Sequence, residues 1–507
     1  MLLAASLVAA GVLAYSNSFR GPFVLDDFPA ITHNPSIRSL WPPHWLSAPP
    51  RSGTSGRPVL NFTLALNHAV GGFDVTGYHA LNLLIHLAAG LALFGVVRRT
   101  LTSDRLRAPF GAVAAPLAFA VALVWIVHPL TTGAVTYIIQ RGESLASLCL
   151  LLTLYCAIRG WRWSAAIACA IGMGAKETMI LAPVLVVLWD HVFREDGARR
   201  WRVYGALAAT LIVLVVPMLS ETQGRTAVLR MLGYVGKLQG DEWTPWSYLW
   251  TQADVIAHYL ALVFKPWPLA FDYYDWPQAR SPFDVWPQAL LVSALFALTV
   301  VAVVRKWPAG FAGAVFFLVL APTSSLLPIP TEVAAEHRMY LPLAAVIALT
   351  LTSAFGLVRS RAAEPLPSGQ APRLRISVAF PLMFVFVVFT GAASLTRSRN
   401  VDFSSAAALW GDAVHKRPGN ARARIYYGLE LVASNQYAGA EALMRGALPL
   451  KMDRSMRGSV YLQLGSAVAA QGRLDEAIDL LERAREFEPG LRTVDLMLTE
   501  IRRRKGQ

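Results

Sequence analysis

Two adjacent carboxylates, Asp26 and Asp27, are the residues of this chain best suited to chemistry. They follow the apolar residues Val24 and Leu25 and precede Phe28. An ionised carboxylate in apolar surroundings is costly, so its usual justification is a cation, a metal-bound phosphate or a proton that it accepts. Either residue could instead cap a short helix. The pair therefore marks a candidate site, with the capping role as the alternative.

A second group of polar residues follows the periodicity of a helix. Tyr78, Asn82 and His86 are spaced by four, which places them on one helix face. A polar stripe at the end of a membrane helix normally faces the interior of the bundle. It either contributes to a site or holds neighbouring helices together through hydrogen bonds.

Further charged residues and histidines occur in segments that we assign to the same side of the membrane. Several of these cations stand beside an acid, so local ion pairing explains any one of them. A membrane-anchored phosphate would also require cations at the mouth of a hydrophobic groove. The candidate binding residues are Arg57, His86, His128, Arg141, Lys176, Glu177, His337 and Arg338.

Membrane helices must position these residues. The chain has 507 residues, of which 55% are hydrophobic and 15% are charged, whereas soluble domains carry about 25% charged residues. A helix crosses the bilayer core with roughly 17–25 mainly apolar residues. Eleven candidate runs lie near 2–15, 80–97, 110–127, 144–158, 163–174, 179–193, 203–218, 287–304, 309–322, 341–358 and 376–395. A stretch at 247–264 carries Asp254 and His258, and we interpret it as interfacial.

The positions of the positive charges predict the orientation. With a cytoplasmic N-terminus, the five cytoplasmic loops hold 16 Lys and Arg in 46 residues, and the five external loops hold 12 in 170. This follows the positive-inside rule. The formal net charge of +14 is therefore mostly topological, and no nucleic-acid partner is needed to explain it. The external loops include two long ones, at 16–79 and 219–286.

An internal repeat follows the last predicted membrane helix. Tyr427-Gly428, Tyr437 and Ala440 recur 37 residues later as Leu464-Gly465, Leu474 and Ala477. The pattern resembles the tetratricopeptide repeat, whose small residues let two antiparallel helices approach closely. We expect a membrane domain over 1–395 and a repeat domain of about 2.5 units over 400–507. With eleven crossings, the repeats lie on the external, periplasmic side.

The order of these motifs resembles that of a known family. Val24 to Ile31, Arg57 to His68, Gly77 to His86, His128 to Arg141, Lys176-Glu177 and His337 to Pro342 occur in the same order in the transmembrane and tetratricopeptide-repeat O-mannosyltransferases and their bacterial relatives. These enzymes belong to the glycosyltransferase C superfamily. The resemblance implies an all-α, polytopic membrane protein that uses a sugar linked to polyprenyl phosphate.

The resemblance also implies roles for the matching residues. An Asp of the first external loop is the base that accepts a proton from the acceptor hydroxyl, and we favour Asp26, with Asp27 as the alternative base or as a contact to substrate or metal. Arg338 is our first choice for the leaving phosphate, followed by Lys176, Arg141 and His337. Direct displacement would invert the anomeric configuration.

The resemblance leaves several partners open. A divalent metal ion at Asp26 and Asp27 is left open, although no ligand spacing argues for one. The sugar is mannose or another hexose, and the acceptor is a protein or a glycan, with a protein favoured. We expect a multi-pass protein of a bacterial inner membrane. The alternative is a non-enzymatic scaffold whose repeats recruit cell-envelope proteins, and a transporter is less consistent with the clean apolar segments.

Overall fold

The computed structural model describes residues 1–50, 52–196, 199–213, 237–238, 241–322, 324, 329–362 and 379–506. Apart from a two-strand hairpin, Lys237–Leu238 with Asp241–Glu242, the regular structure in these ranges is helical. The α-helices are α1 (Leu2–Tyr15), α2 (Pro58–Gly71), α3 (Val75–Leu101), α4 (Asp104–Phe110), α5 (Ala114–Ile126), α6 (Thr132–Val135), α7 (Arg141–Ile158), α8 (Arg162–Met173), α9 (Ala182–Phe193), α10 (Trp201–Ala209), α11 (Pro245–Phe264), α12 (Trp286–Val304), α13 (Pro308–Ala321), α14 (Tyr340–Ala362), α15 (Ala379–Asp402), α16 (Ala406–Lys416), α17 (Ala421–Ala433), α18 (Tyr437–Ala447), α19 (Arg454–Ala470), α20 (Leu474–Phe487) and α21 (Arg492–Lys505).

Five helical stretches in these ranges are long and apolar enough to cross a membrane, which confirms an all-α, multi-pass membrane protein. They are Val75–Leu101, Asp104–Ile126, Ile138–Ile158, Pro282–Val304 and Glu336–Ser360. A helix also occupies each of the other predicted runs as far as the chain is described. Parts of the runs at 203–218 and 376–395 lie outside the described residues. α8 and α9 have 12 residues each and rise about 18 Å, short of the roughly 30 Å apolar core. The number of crossings therefore stays a prediction.

Small residues allow the first helices to pack closely. A Cβ atom added to Gly11 of α1 would lie 2.5 Å from Leu87 Cδ2, and one added to Gly90 of α3 would lie 2.7 Å from Ile126 Cδ1. These distances are shorter than van der Waals contact, so a larger residue would push the helices apart. α1, α3 and α5 therefore form one tightly packed group beneath the first long loop.

The described residues of the two sets of predicted loops lie at different ends of the bundle. At one end, the Arg105 guanidinium donates to the Lys306 carbonyl, and Arg359 donates to that of Pro109. At the other end, Gln252 Nε2 donates to the carbonyl of Val333, 2.9 Å away. The structure thus groups the loops as the charge pattern does. Which end faces the cytoplasm stays a prediction.

α16 to α21 form successive helical hairpins after the last membrane segment. Gly428 and Gly465, the glycines of the repeated pattern, face the next helix: a Cβ on Gly465 would lie 2.9 Å from Leu481 Cγ, and one on Gly428 would collide with Met444. The glycines are thus required for helix contact at equivalent positions of two hairpins. The assignment to the tetratricopeptide class and the domain boundaries remain predictions.

Candidate active site

A cavity of about 370 Å³ lies where the first long loop, the segment before α14 and the C-terminal helices meet. Its wall is partly polar, and its contributors are far apart in the sequence. They include Asp26, Tyr137, Asp272, Glu332, Glu336, His337, Arg399, Arg422 and Tyr426. Of the residues predicted from sequence, Asp26 and His337 border this cavity.

The backbone around Asp26 is fixed by contacts with a distant segment. The Asp26 N–H donates to the Tyr137 hydroxyl over 2.9 Å. The preceding residue, Leu25, has a φ of +43°, in the left-handed region that costs a non-glycine residue energy and that clusters at functional sites. A strained turn held by Tyr137 therefore presents Asp26 to the cavity.

Asp27 has a different environment, although it is the next residue. Its side chain is fully buried. One carboxylate oxygen accepts from the Val24 N–H (2.9 Å) and the other from the Ile139 N–H (2.8 Å). Asp27 thus links the loop to the residues before α7, and only one carboxylate of the pair borders the cavity.

Both carboxylates are influenced by the surrounding protein. Burial raises the pKa of Asp27 to about 8, although its two amide hydrogen bonds act in the opposite direction. The pKa of Asp26 is raised, first by burial and then by the negative charge of Glu332, while the Arg422 guanidinium lowers it. Asp26 makes no ion pair with the residues that the structure describes. A raised pKa makes the Asp26 carboxylate a stronger base toward an acceptor hydroxyl.

Most of the predicted cations are engaged elsewhere. Arg57 forms a bidentate pair with Glu177, with N–O distances of 2.9 and 3.1 Å. Lys176 pairs with Glu143, and both are buried. Arg141 is fully buried and donates to side-chain and carbonyl oxygens of Asn82, Thr63 and Tyr78. These three cations connect α2, α3 and α7 to the neighbouring loops and do not border the cavity.

Two predicted histidines also have structural partners. The nitrogens of His86 lie 2.7 Å from the Tyr340 hydroxyl and 2.8 Å from the Ile126 carbonyl. His128 lies 3.1 Å from the Val263 carbonyl and accepts from the Leu130 N–H. His86 thus joins three membrane helices. This corresponds to the second interpretation of the polar stripe, in which its residues hold neighbouring helices together through hydrogen bonds.

The segment before α14 places its two basic residues differently. His337 borders the cavity, with Nε2 3.9 Å from Glu332 Oε1. The Arg338 side chain is only 2% exposed and donates to the Glu332 carbonyl (2.6 Å) and carboxylate (3.2 Å). The positive charges near Glu332 lower its pKa against the effect of burial. Arg338 is therefore one layer behind the cavity wall.

The sequence did not indicate several residues of the cavity, because they lie in segments that we assigned to different parts of the protein. Asp272 comes from the long loop before α12, Arg399 from the end of α15, and Arg422 and Tyr426 from α17. Arg399 pairs with Glu336 (3.8 Å), Asp402 (2.9 Å) and Asp412 (3.0 Å). The only sequence signal was their polarity at the ends of predicted elements.

The described ranges contain no group of three or more His, Cys, Asp or Glu residues arranged to hold a metal ion. Both oxygens of Asp27 already accept backbone hydrogen bonds. The structure therefore adds no ligand set to the metal site left open at Asp26 and Asp27.

The fold and the cavity define a multi-pass helical membrane protein with an accessible loop carboxylate beside its membrane helices. The chain is similar to "Protein O-mannosyl-transferase TMTC1" of Mus musculus, with 34% identity over 159 residues, 29% of this chain and 16% of that protein. It is also similar to "Protein O-mannosyl-transferase Tmtc2" of Drosophila melanogaster, with 28% identity over 327 residues, 57% of this chain and 32% of that protein. The human TMTC2 protein shares 28% over 203 residues, 36% of this chain and 23% of that protein.

These similarities confirm the resemblance inferred from the motifs. The chain matches less than a third of the length of each of these curated relatives. No family model matches the chain, and no solved structure matches it.

Proposed function

We propose that this protein is a membrane glycosyltransferase that moves mannose or another hexose from a polyprenyl-phosphate carrier to a hydroxyl group of a protein. The observation that carries the proposal is the position of Asp26, a carboxylate without an ion-pair partner in the described chain, at a cavity bordered by His337 and Arg399. The similarity to proteins named O-mannosyl-transferases supports the same reaction class.

The proposed reaction uses the carboxylate and the basic side chains that border the cavity. The Asp26 carboxylate takes the proton of the acceptor hydroxyl, and the hydroxyl oxygen forms a bond to the anomeric carbon. The bond from that carbon to the carrier's phosphate oxygen breaks, and polyprenyl phosphate leaves with the electron pair. Because the new bond forms opposite the one that breaks, the anomeric configuration inverts.

The leaving phosphate needs positive charge close to the cavity. We assign this contact to the Arg399 guanidinium, with a ring N–H of His337 as a second hydrogen-bond donor. Arg338 and Lys176 act behind the wall, because Arg338 holds Glu332 and Lys176 holds Glu143. The sequence-based order placed Arg338 first and Lys176 second. The order changes because the sequence does not show that both residues are buried and form ion pairs.

The location of the site follows from the predicted orientation. With the basic loops in the cytoplasm, the cavity and the C-terminal helices lie on the external face of a bacterial inner membrane, where the lipid-linked sugar is presented. We classify α16 to α21 as tetratricopeptide repeats on the basis of the 37-residue offset and the two helix-contact glycines.

A deletion strain tests the function whichever hexose is transferred. Glycopeptides lost on deletion are identified by mass spectrometry, and the strain is complemented with wild type, Asp26→Asn or the matched control Asp74→Asn. Asp74 is an exposed residue of the same loop that caps α3, and asparagine keeps that cap. We expect wild type and Asp74→Asn to restore the glycopeptides and Asp26→Asn to fail. Restoration by Asp26→Asn would exclude it as the base and favour the scaffold alternative.

A further inference from the structure

The C-terminal helices contribute directly to the wall of the cavity. Arg422 and Tyr426 of α17 and Met456 of α19 border the same space as Asp26. The membrane part alone therefore does not enclose the cavity. α17 forms part of its wall, which would not be expected of a helix that only recruits partner proteins.

α17 is held at the cavity by a network at its first turn. The Arg422 guanidinium forms two hydrogen bonds to the Asp272 carboxylate and a third, of 3.1 Å, to the Thr331 carbonyl. Asn420 Nδ2 also donates to Asp272, over 3.0 Å. A bidentate Arg–carboxylate pair fixes orientation as well as distance. Arg422 therefore holds together α17 and two loop segments of the cavity wall.

Tyr426 lies one helical turn further along α17. Its ring stacks on Trp410 with a centroid distance of 4.6 Å and an interplanar angle of 13°, and Phe271 packs edge-on against Trp410. The hydroxyl forms no hydrogen bond with the residues that the structure describes. The ring is thus rigidly placed, while its polar group is available to a bound molecule.

The Tyr426 hydroxyl is also close enough to Asp26 to respond to its charge. Burial raises the pKa of Tyr426 first, the Arg422 guanidinium lowers it, and the negative charge of Asp26 raises it again. A rigid phenol with an available hydroxyl, beside the carboxylate that we assign as base, can orient a substrate by one directed hydrogen bond.

We propose that Tyr426 binds the acceptor polypeptide at the cavity and that Arg422 is the positioning residue that holds Tyr426 there. The inference rests on the proposed function. We assign Tyr426 to the acceptor and not to the donor because α17 belongs to the helices that follow the last membrane segment. The lipid carrier of the donor must instead approach through the membrane helices. The phosphate contacts proposed above, His337 and Arg399, come from the membrane part.

Matched substitutions in the full-length protein test this role. Tyr426→Phe removes only the hydroxyl and keeps the stack on Trp410. Tyr427→Phe is the control, since Tyr427 packs near Gly411 and does not border the cavity. Arg422→Lys loses the bidentate pair, and Arg424→Lys is its control, because Arg424 donates only to the Pro418 carbonyl in the described chain.

The probe is a synthetic peptide copied from a glycopeptide that wild type restores in the deletion strain. With the detergent-purified protein and the polyprenyl-phosphate sugar as donor, we expect Tyr426→Phe to raise the peptide KM about three- to ten-fold, as for the loss of one hydrogen bond. Arg422→Lys should act in the same direction. The KM of the donor should stay within about two-fold for all four variants.

Two results would overturn the inference. An unchanged peptide KM in Tyr426→Phe would show that the hydroxyl does not contact the acceptor, and a raised donor KM in its place would put Tyr426 on the donor side. A failure of the proposed function is a separate result: wild type would then restore no glycopeptide at all, and the inference would fail with it.

Discussion

The N–H of Asp26 donates to the hydroxyl of Tyr137, 2.9 Å away and 111 residues later in the chain. Tyr137 is buried and borders the same cavity. The phenol therefore fixes the main chain of the proposed base, while the side chain of Asp26 stays accessible to substrate.

Replacing Tyr137 should therefore impair activity. In Tyr137→Phe the Asp26 N–H loses its acceptor, and an unsatisfied polar group of this kind costs about 1–3 kcal/mol. We expect glycopeptide formation to fall at least about five-fold in the complemented deletion strain. Tyr437→Phe is the control, because that phenol donates to Asn435 and does not border the cavity. Equal activity of the two variants would contradict a role for the Tyr137 hydroxyl.

Asparagine substitutions of Asp26 and of Asp27 should have different effects on stability and on activity. An amide nitrogen cannot accept a hydrogen bond, so Asp27→Asn leaves a backbone N–H of Val24 or Ile139 without an acceptor. We expect a loss of about 1–3 kcal/mol in the free energy of unfolding, seen as a lower Tm in detergent. Asp26→Asn should keep the wild-type Tm and lose activity. The reverse pattern would exchange the two roles.

The pH dependence of stability should also depend on Asp27. Because the folded pKa is raised to about 8, from about 3.9 in the unfolded chain, the protonated carboxyl is favoured by folding. This contribution is fully present below about pH 4 and is lost as the pH rises to about 8. The Tm difference between wild type and Asp27→Asn should therefore shrink between these two pH values. A difference that grows over this range would contradict the raised pKa.

The buried pair of Lys176 and Glu143 should be needed for folding rather than for chemistry. Their side chains are only 8% and 5% exposed, so Lys176→Met leaves an uncompensated buried carboxylate, which costs about 3–5 kcal/mol. We expect low yield and a low Tm for Lys176→Met and recovery in Lys176→Met/Glu143→Gln. If the double variant has normal Tm but no activity, Lys176 acts on the substrate instead.

Two glycines should respond in opposite ways to alanine. A Cβ on Gly310 would lie 2.5 Å from the backbone nitrogen of Val303 at the turn between α12 and α13, whereas Gly356 within α14 has open space around it. We expect Gly310→Ala to lower the free energy of unfolding by about 1–3 kcal/mol. Gly356→Ala should be neutral or stabilising by up to about 1 kcal/mol. Thermal unfolding of both variants in the same detergent checks the difference.

The sequence by itself determined the class of fold, the helix at each predicted run as far as it is described, and the family that the chain resembles. A membrane helix satisfies its own backbone hydrogen bonds in lipid, so the apolar run that forms it can be recognised in the local sequence. The charge asymmetry between loops can also be counted directly from the sequence. The order of the motifs likewise directed attention to Asp26, which the structure places at the cavity.

Only the tertiary structure decided which polar residues share that cavity. The sequence suggests ion pairs with neighbouring acids, yet the partners of Arg57, Lys176 and Arg141 are distant in the chain: Glu177, Glu143 and a set of helix and loop oxygens. Conversely, Arg399, Arg422 and Tyr426 lie more than 370 residues from Asp26 in the chain and still border its cavity. Whether a charge is free or paired depends on long-range packing that local patterns do not encode, so the composition of the site could be read only from the folded chain.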